Sequence, residues 1–117
     1  MSASELADRY RDLQRYVGWT AEDAQLVRAS AATIVPRMQE LVDDFYAEIL
    51  RHPDAARVIT GGEAQIERLK SSLHDWLCDS LEALDDPEYV QRRWRIGLRH
   101  AEINLNPAFV AAAMSRL

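Results

Sequence analysis

The chain has little of what would make it a disulfide scaffold, a β-protein or a membrane protein. Its single cysteine, Cys78, can form neither an internal disulfide nor a multi-thiolate metal centre, and it suits a reducing compartment. Four glycines and four prolines in 117 residues leave few turns. Nearly every long stretch follows a 3.6-residue rather than a two-residue period, so the expected fold class is all-α. No apolar run approaches the ~20 residues that cross a bilayer, and the polar start MSASELADRYRDLQRY holds no apolar core for export. The expected location is therefore cytoplasmic, without membrane insertion. Positive charge is also in deficit: 14 Lys+Arg against 19 Asp+Glu, a net charge of −5, repels a phosphate backbone and argues against nucleic acid as a partner. His-x-x-x-His, Cys-x-x-Cys and carboxylate clusters at metal spacing are missing, so zinc and di-iron sites find no support.

What is present is a string of amphipathic segments. A hydrophobic content of 48% in this length serves one core and is too small for two, so residues 1–117 read as one domain. A first helix is expected from about residue 4 to 16, ending before Gly18. Thr20 with Asp23 three residues on marks the start of a second at Ala21. Pro36 sits inside a continuing pattern, which places a kink or junction there and starts the third helix at Pro36. That helix puts Met38, Leu41, Val42, Phe45, Tyr46, Ile49 and Leu50 on one arc, with Tyr46 near its middle. His52-Pro53 ends it, with His52 in a structural role, and a loop at Thr60-Gly61-Gly62 precedes a long helix over residues 63–84. The buried arc of the long helix holds Ile66, Leu69, Leu73, Trp76, Leu77 and Leu81, with Ser72 on the rim, Ser71 facing solvent and His74 at the edge. Asp86-Pro87 offers an N-cap and first-position proline for a basic helix, residues 104–106 break that helix, and Pro107 begins a last one.

The basic tract RRWRIGLRHAEINLNP, Arg92 to Pro107, carries the chemistry. At about 100° per residue, Glu88, Arg92, Arg95, Arg99 and Glu102 share a polar face, while Tyr89, Val90, Trp94, Ile96, Gly97, Leu98, Ala101 and Ile103 form the apolar arc. His100 lies between Ile96 and Gly97 inside that arc. A histidine in such a place is more often a hydrogen-bonded core residue than a ligand, and a buried tyrosine such as Tyr46 is usually a core aromatic. Together, on separate helices with a third amphipathic helix between them in sequence, they are also suited to a planar macrocycle: haem iron needs a neutral imidazole on one side and an apolar cavity with a donor on the other. Tyr46 and Ser72 are the donors on offer. Arg93 either snorkels to the surface or reaches a propionate.

The string RRWRIGLRHAEINLNPAFVAAAM resembles the proximal motif of the globin-coupled sensor family, an arginine-rich helix with Ile-Gly, a ligating histidine and then Gly-Leu-x-Pro-aromatic. DDFYAEILRHP is similar to that family's distal Phe-Tyr segment, and RYVGWTAED to its N-terminal extension, so the resemblance runs from about residue 15 to 117. It implies a globin-like fold with an extension over residues 1–19 and a globin core over 20–117. It also implies haem b with His100 as proximal ligand and Tyr46 as the distal tyrosine, Leu69 and Leu73 as apolar walls, and Ser72 rather than Ser71 as the distal hydroxyl. Trp76, Arg93 and Ile96 complete the expected cofactor contacts. The implied function is a sensor of dioxygen or another diatomic gas, the non-catalytic input domain of a homodimeric signalling protein with a C-terminal output domain such as a diguanylate cyclase or aerotaxis transducer. Two departures stand out. Asn104 replaces a glycine, and family members continue through further helix, so the chain is expected to be a fragment lacking the final helix. The competing expectation is a haem-free globin-fold interaction or dimerisation module, its pocket filled by Phe45, Leu69, Leu73 and Trp76. A haem enzyme finds no distal His-Arg pair on the middle helix.

Overall fold

A computed structural model of the chain describes residues 2–82 and 88–117, and every regular element among them is helical. The elements are α1 (Ala3–Val17), α2 (Ala21–Ile34), a 3₁₀ turn (Val35–Arg37), α3 (Met38–Arg51), α4 (Pro53–Ala56), α5 (Gly62–Glu82), α6 (Tyr89–Glu102) and α7 (Pro107–Arg116). The expected end of the long helix at Leu84 and the Asp86-Pro87 start of the basic helix lie outside the described residues.

Local chemistry sets most of these boundaries. Reciprocal capping boxes open α1 and α2: the Ser2 and Thr20 hydroxyls accept from the Glu5 and Asp23 amides, and both carboxylates accept in return from the cap amides. At the other end of α1, Gly18 adopts a left-handed φ of 75°. The amides of Gly18 and Trp19 return to the carbonyls of Arg15 and Gln14, a Schellman closure. Pro36 has no amide to continue the ladder of α2, and its ring crowds the carbonyl four residues back. The junction expected there is a 3₁₀ turn, so α3 starts at Met38, two residues later than the sequence pattern placed it.

The core is a stripe on α3. Met38, Val42 and Tyr46, four residues apart, are 1%, 0% and 9% exposed, and Ile34, Phe45, Ile49, Ile59, Leu69, Leu73, Leu77, Cys78 and Leu81 pack against them. α3 therefore lies on α5, with Lys70 of α5 reaching Asp43 of α3 at 3.1 Å. α1 packs on the beginning of α6 through Leu6 and a tilted Tyr10–Tyr89 ring pair 6.1 Å apart. The radius of gyration is 15.4 Å, against about 13 Å for a compact domain of this length, so the helices form an open arrangement around a small core.

One expectation needs correction. Trp94, Ile96 and Leu98, placed by periodicity in the buried arc of α6, are 49%, 38% and 49% exposed, whereas Tyr89 in its first turn is 5% exposed. The helical phase was right and the cover was not, because the contacts that bury α6 concentrate on its N-terminal half.

Met38→Ala should lower unfolding stability by roughly 2–5 kcal/mol, the range for truncating a buried Met, whereas Leu26→Ala, on an exposed position, should stay within about 0.5 kcal/mol. Urea denaturation of the two variants checks the contrast.

Candidate functional site

His100 sits in the last turn of α6, half-buried, with Nδ1 2.8 Å from the carbonyl oxygen of Ile96 one turn earlier. A carbonyl only accepts, so Nδ1 carries the hydrogen. In the neutral ring Nε2 then holds the lone pair. This is the arrangement by which a backbone carbonyl fixes the tautomer of a metal-binding histidine.

The backbone of His100 is fixed too. Its carbonyl accepts from Leu105 at 3.3 Å, and the Ala101 carbonyl accepts from Asn104 at 3.0 Å, the same Schellman closure that ends α1. Such a closure needs one left-handed residue, and Asn104 supplies it with φ of 55°. Asparagine is one of the few residues besides glycine that adopt that region readily, so it can stand where the glycine was expected.

Around His100 the surface is apolar and open. Ile96, one turn earlier on the same face, is exposed, and a Cβ added at Gly97 would meet nothing within 4 Å. A glycine in a helix interior costs about 0.5–1 kcal/mol relative to alanine, and no contact among the described residues requires this one.

Tyr46 occupies a different environment. It lies in the α3–α5 core, edge-on to Phe45 with ring centroids 5.2 Å apart. Its hydroxyl has no hydrogen-bond partner among the described residues, and burial alone pushes its pKa up to about 12. Leu69 and Leu73 pack against the same cluster. Ser71 and Ser72 are both exposed, and Ser71 lines a shallow depression of about 240 Å³ with Gln39, Glu67, Lys70 and His74. A second depression, about 210 Å³, lies between α1 and α6 and is lined by Ala3, Leu6, Gln91, Trp94 and Arg95. Neither includes Tyr46 or His100.

Trp76 and Arg93 face each other across the α5–α6 contact. The Arg93 guanidinium carbon is 4.1 Å from the Trp76 ring centroid and 4.5 Å from that of Tyr89, and one terminal nitrogen donates to the Ser80 hydroxyl. Beside it Arg92 pairs with Asp79 at 3.0 Å. Arg93 thus takes neither of the orientations expected of it, at the surface or toward an anionic ligand. Tyr89, Ser80 and Asp79 were missed by sequence reasoning. The four-residue spacings Tyr89–Arg93 and Trp76–Ser80 were visible, but not that the two pairs would meet.

The structure therefore brings Tyr46, Leu69 and Leu73 into one apolar cluster, His100 and Ile96 onto the open half of α6, and Trp76 and Arg93 into contact across α5 and α6. Elsewhere His74 has Nδ1 3.8 Å from both the Cys78 sulfur and Asp75, His52 has Nε2 3.7 Å from Glu48, and burial with three nearby carboxylates raises the Cys78 pKa. No group of three metal-ligating side chains occurs among the described residues.

Two comparisons with known proteins bear on the site. The Protoglobin family matches residues 6–117, a span that includes Tyr46, the whole of α5 and the His100 helix. No curated protein matches the chain.

The raised pKa of Tyr46 has a consequence for alkaline stability. Unfolded tyrosine ionises near 10.0, so between that pH and about 12 the folded chain retains a proton that the unfolded chain loses, and stability falls as pH rises through this window. Tyr46→Phe should show a shallower loss of melting temperature from pH 10 to 12 than wild type. Equal slopes would contradict the burial of the phenol.

Proposed function

The chain belongs to the protoglobin family, and from that premise we propose that it is a haem-binding gas sensor in which His100 ligates the iron and Tyr46 serves the gas. Protoglobin domains are non-catalytic globin-type domains that typically bind haem and diatomic gases. Haem b, when bound, supplies an iron that takes up dioxygen reversibly. The observation that carries the reading is the bond from His100 Nδ1 to the Ile96 carbonyl, which reserves Nε2 for a metal.

The remaining residues fit a flat, largely apolar group. Gly97 leaves free space beside His100, and Ile96, one turn earlier on the same face, offers apolar surface there. Leu69 and Leu73 line the cluster that holds Tyr46. Within that cluster the unpartnered Tyr46 hydroxyl is a neutral donor over the ordinary pH range, suited to a weakly basic gas. Ser72, being exposed, plays the smaller part of holding water at the rim. We read the domain as the input part of a homodimeric cytoplasmic signalling protein with a separate output domain, gas occupancy biasing the packing of α6. The rival reading, a haem-free interaction module, draws on how closely Phe45, Leu69 and Leu73 surround Tyr46.

The deciding experiment adds haemin and dithionite to wild type and to His100→Ala side by side. A ferrous spectrum that responds to dioxygen or carbon monoxide and changes in the variant supports the proposal. No haem uptake by wild type favours the haem-free module, and a variant with wild-type Soret and visible bands removes His100 from the iron. In haem-loaded protein, Tyr46→Phe should speed dioxygen release about 2–10-fold, the worth of one hydrogen bond, and unchanged stopped-flow kinetics would remove Tyr46 from the donor role. Gly97→Ala should raise the stability of the haem-free chain by about 0.5–1 kcal/mol while weakening haem binding. Equal haem affinity would show that the space beside His100 is not used.

A further inference from the structure

We propose that Arg93 is a positioning residue for the iron ligand, locking the roll of α6 against α5 so that His100 presents Nε2 in one direction. The inference deepens the proposed function and rests on it. Arg93 and His100 are seven residues apart, two turns of α6, so they project within about 20° of one another some 10.5 Å apart along the axis. Whatever fixes the azimuth of Arg93 therefore fixes that of His100.

The structure holds Arg93 on three sides. Trp76 presents its ring from α5 at 4.1 Å, Tyr89 presents its own from the preceding turn of α6 at 4.5 Å, and the Ser80 hydroxyl of α5 accepts from the guanidinium. Both distances are well inside the ~6 Å reach of a cation–π contact. Nε of Arg93 is buried without a hydrogen-bond partner among the described residues; the ring contacts, the Ser80 bond and the Tyr89 hydroxyl, which bonds with both Arg93 and Ser80, hold the group in place.

The hold extends to α1. Tyr89, which forms one wall of the Arg93 slot, also packs on Tyr10 of α1. The series Tyr10–Tyr89–Arg93–Trp76 ties α1 and α5 to the first half of α6. The second half, with Ile96, Leu98 and His100, projects beyond these contacts. A rigid helix clamped at one end transmits the angle of the clamp to the ligand at the other.

The test uses the whole chain with haemin as probe. Arg93→Gln keeps a side chain able to bond Ser80 but removes the cation from the rings, and Arg93→Lys retains a cation. In ferrous Arg93→Gln the iron–histidine stretching band in the resonance Raman spectrum should shift. Haem transfer to an excess of a scavenging apo-globin should quicken by about tenfold, within what a desolvated cation–π contact is worth. Arg93→Lys should return toward wild type in both. A band that stays in place while only the melting temperature falls overturns the inference, as does a lysine variant no closer to wild type than the glutamine one. Should Arg93→Gln fail to fold, Trp76→Leu removes the ring from the α5 side and should shift the band likewise. In the haem-free chain, the losses of melting temperature in Arg93→Gln and Trp76→Leu should sum to more than the loss in the double variant. Additive losses overturn the clamp. A wild-type chain that takes up no haem overturns the proposed function and this inference with it, whereas haem uptake with an unshifted band overturns the inference alone.

Discussion

The packing of one stripe of α3 on α5 supports everything else in this fold. Met38, Val42 and Tyr46 recur every four residues, and Leu69, Leu73, Leu77 and Leu81 of α5 do the same. Two helices with rows of that spacing interlock as ridges and grooves. The stripe extends back to Ile34 because the 3₁₀ turn at Pro36 breaks the hydrogen-bond ladder without turning Ile34 away from the core. Proline at that point shapes the α2–α3 junction at little cost in buried surface.

The later helices are attached by different forces. α7 is held to α3 by the ion pair of Arg116 with Asp44, at 2.9 and 3.0 Å, and a longer contact to Glu48. The pairing lowers the pKa of Asp44 and raises that of Arg116. Both partners are well exposed, and solvent-screened pairs contribute only about 0–1 kcal/mol. α6 is better anchored, since Tyr89 is buried and the Arg93 guanidinium lies between two rings, but that anchorage ends before His100. The half of α6 that carries His100 is thus the half with the least cover. Segments that respond to ligands are drawn from the less stable parts of a fold, and under the proposed function the His100 half of α6 is such a segment.

The polar site chemistry divides along the same line. Tyr46 is neutral, buried and unpartnered because apolar side chains from α3 and α5 surround it. His100 is oriented by its own helix, through a carbonyl four residues back and a Schellman closure that Asn104 completes. One group owes its state to the core and the other to local backbone. That difference explains why the core could be built around Tyr46 while His100 stays at an open face.

Helix starts and stops were legible in the sequence wherever the deciding groups lie within a few residues of each other. Thr20 with Asp23, Gly18, Pro36 and His52-Pro53 marked their boundaries to within two residues, because caps and missing amides act over one turn. The apolar phases of α3 and α5 were legible for the same reason, as was the all-helical class. Burial of the α6 arc was not legible. Periodicity says which side chains share a face, but exposure depends on whether another helix covers that face, and Trp94, Ile96 and Leu98 are largely uncovered. Nor could the partners of Arg93 be read, since Trp76 and Ser80 come from a helix whose angle to α6 no local signal encodes. The sequence by itself determined the helices and their faces, both of them set by interactions closed within a turn or two. Only tertiary packing decided that Tyr46 is buried in a core, that Arg93 is gripped between rings, and that the His100 half of α6 is left with little cover, because each of these depends on surfaces meeting from distant parts of the chain.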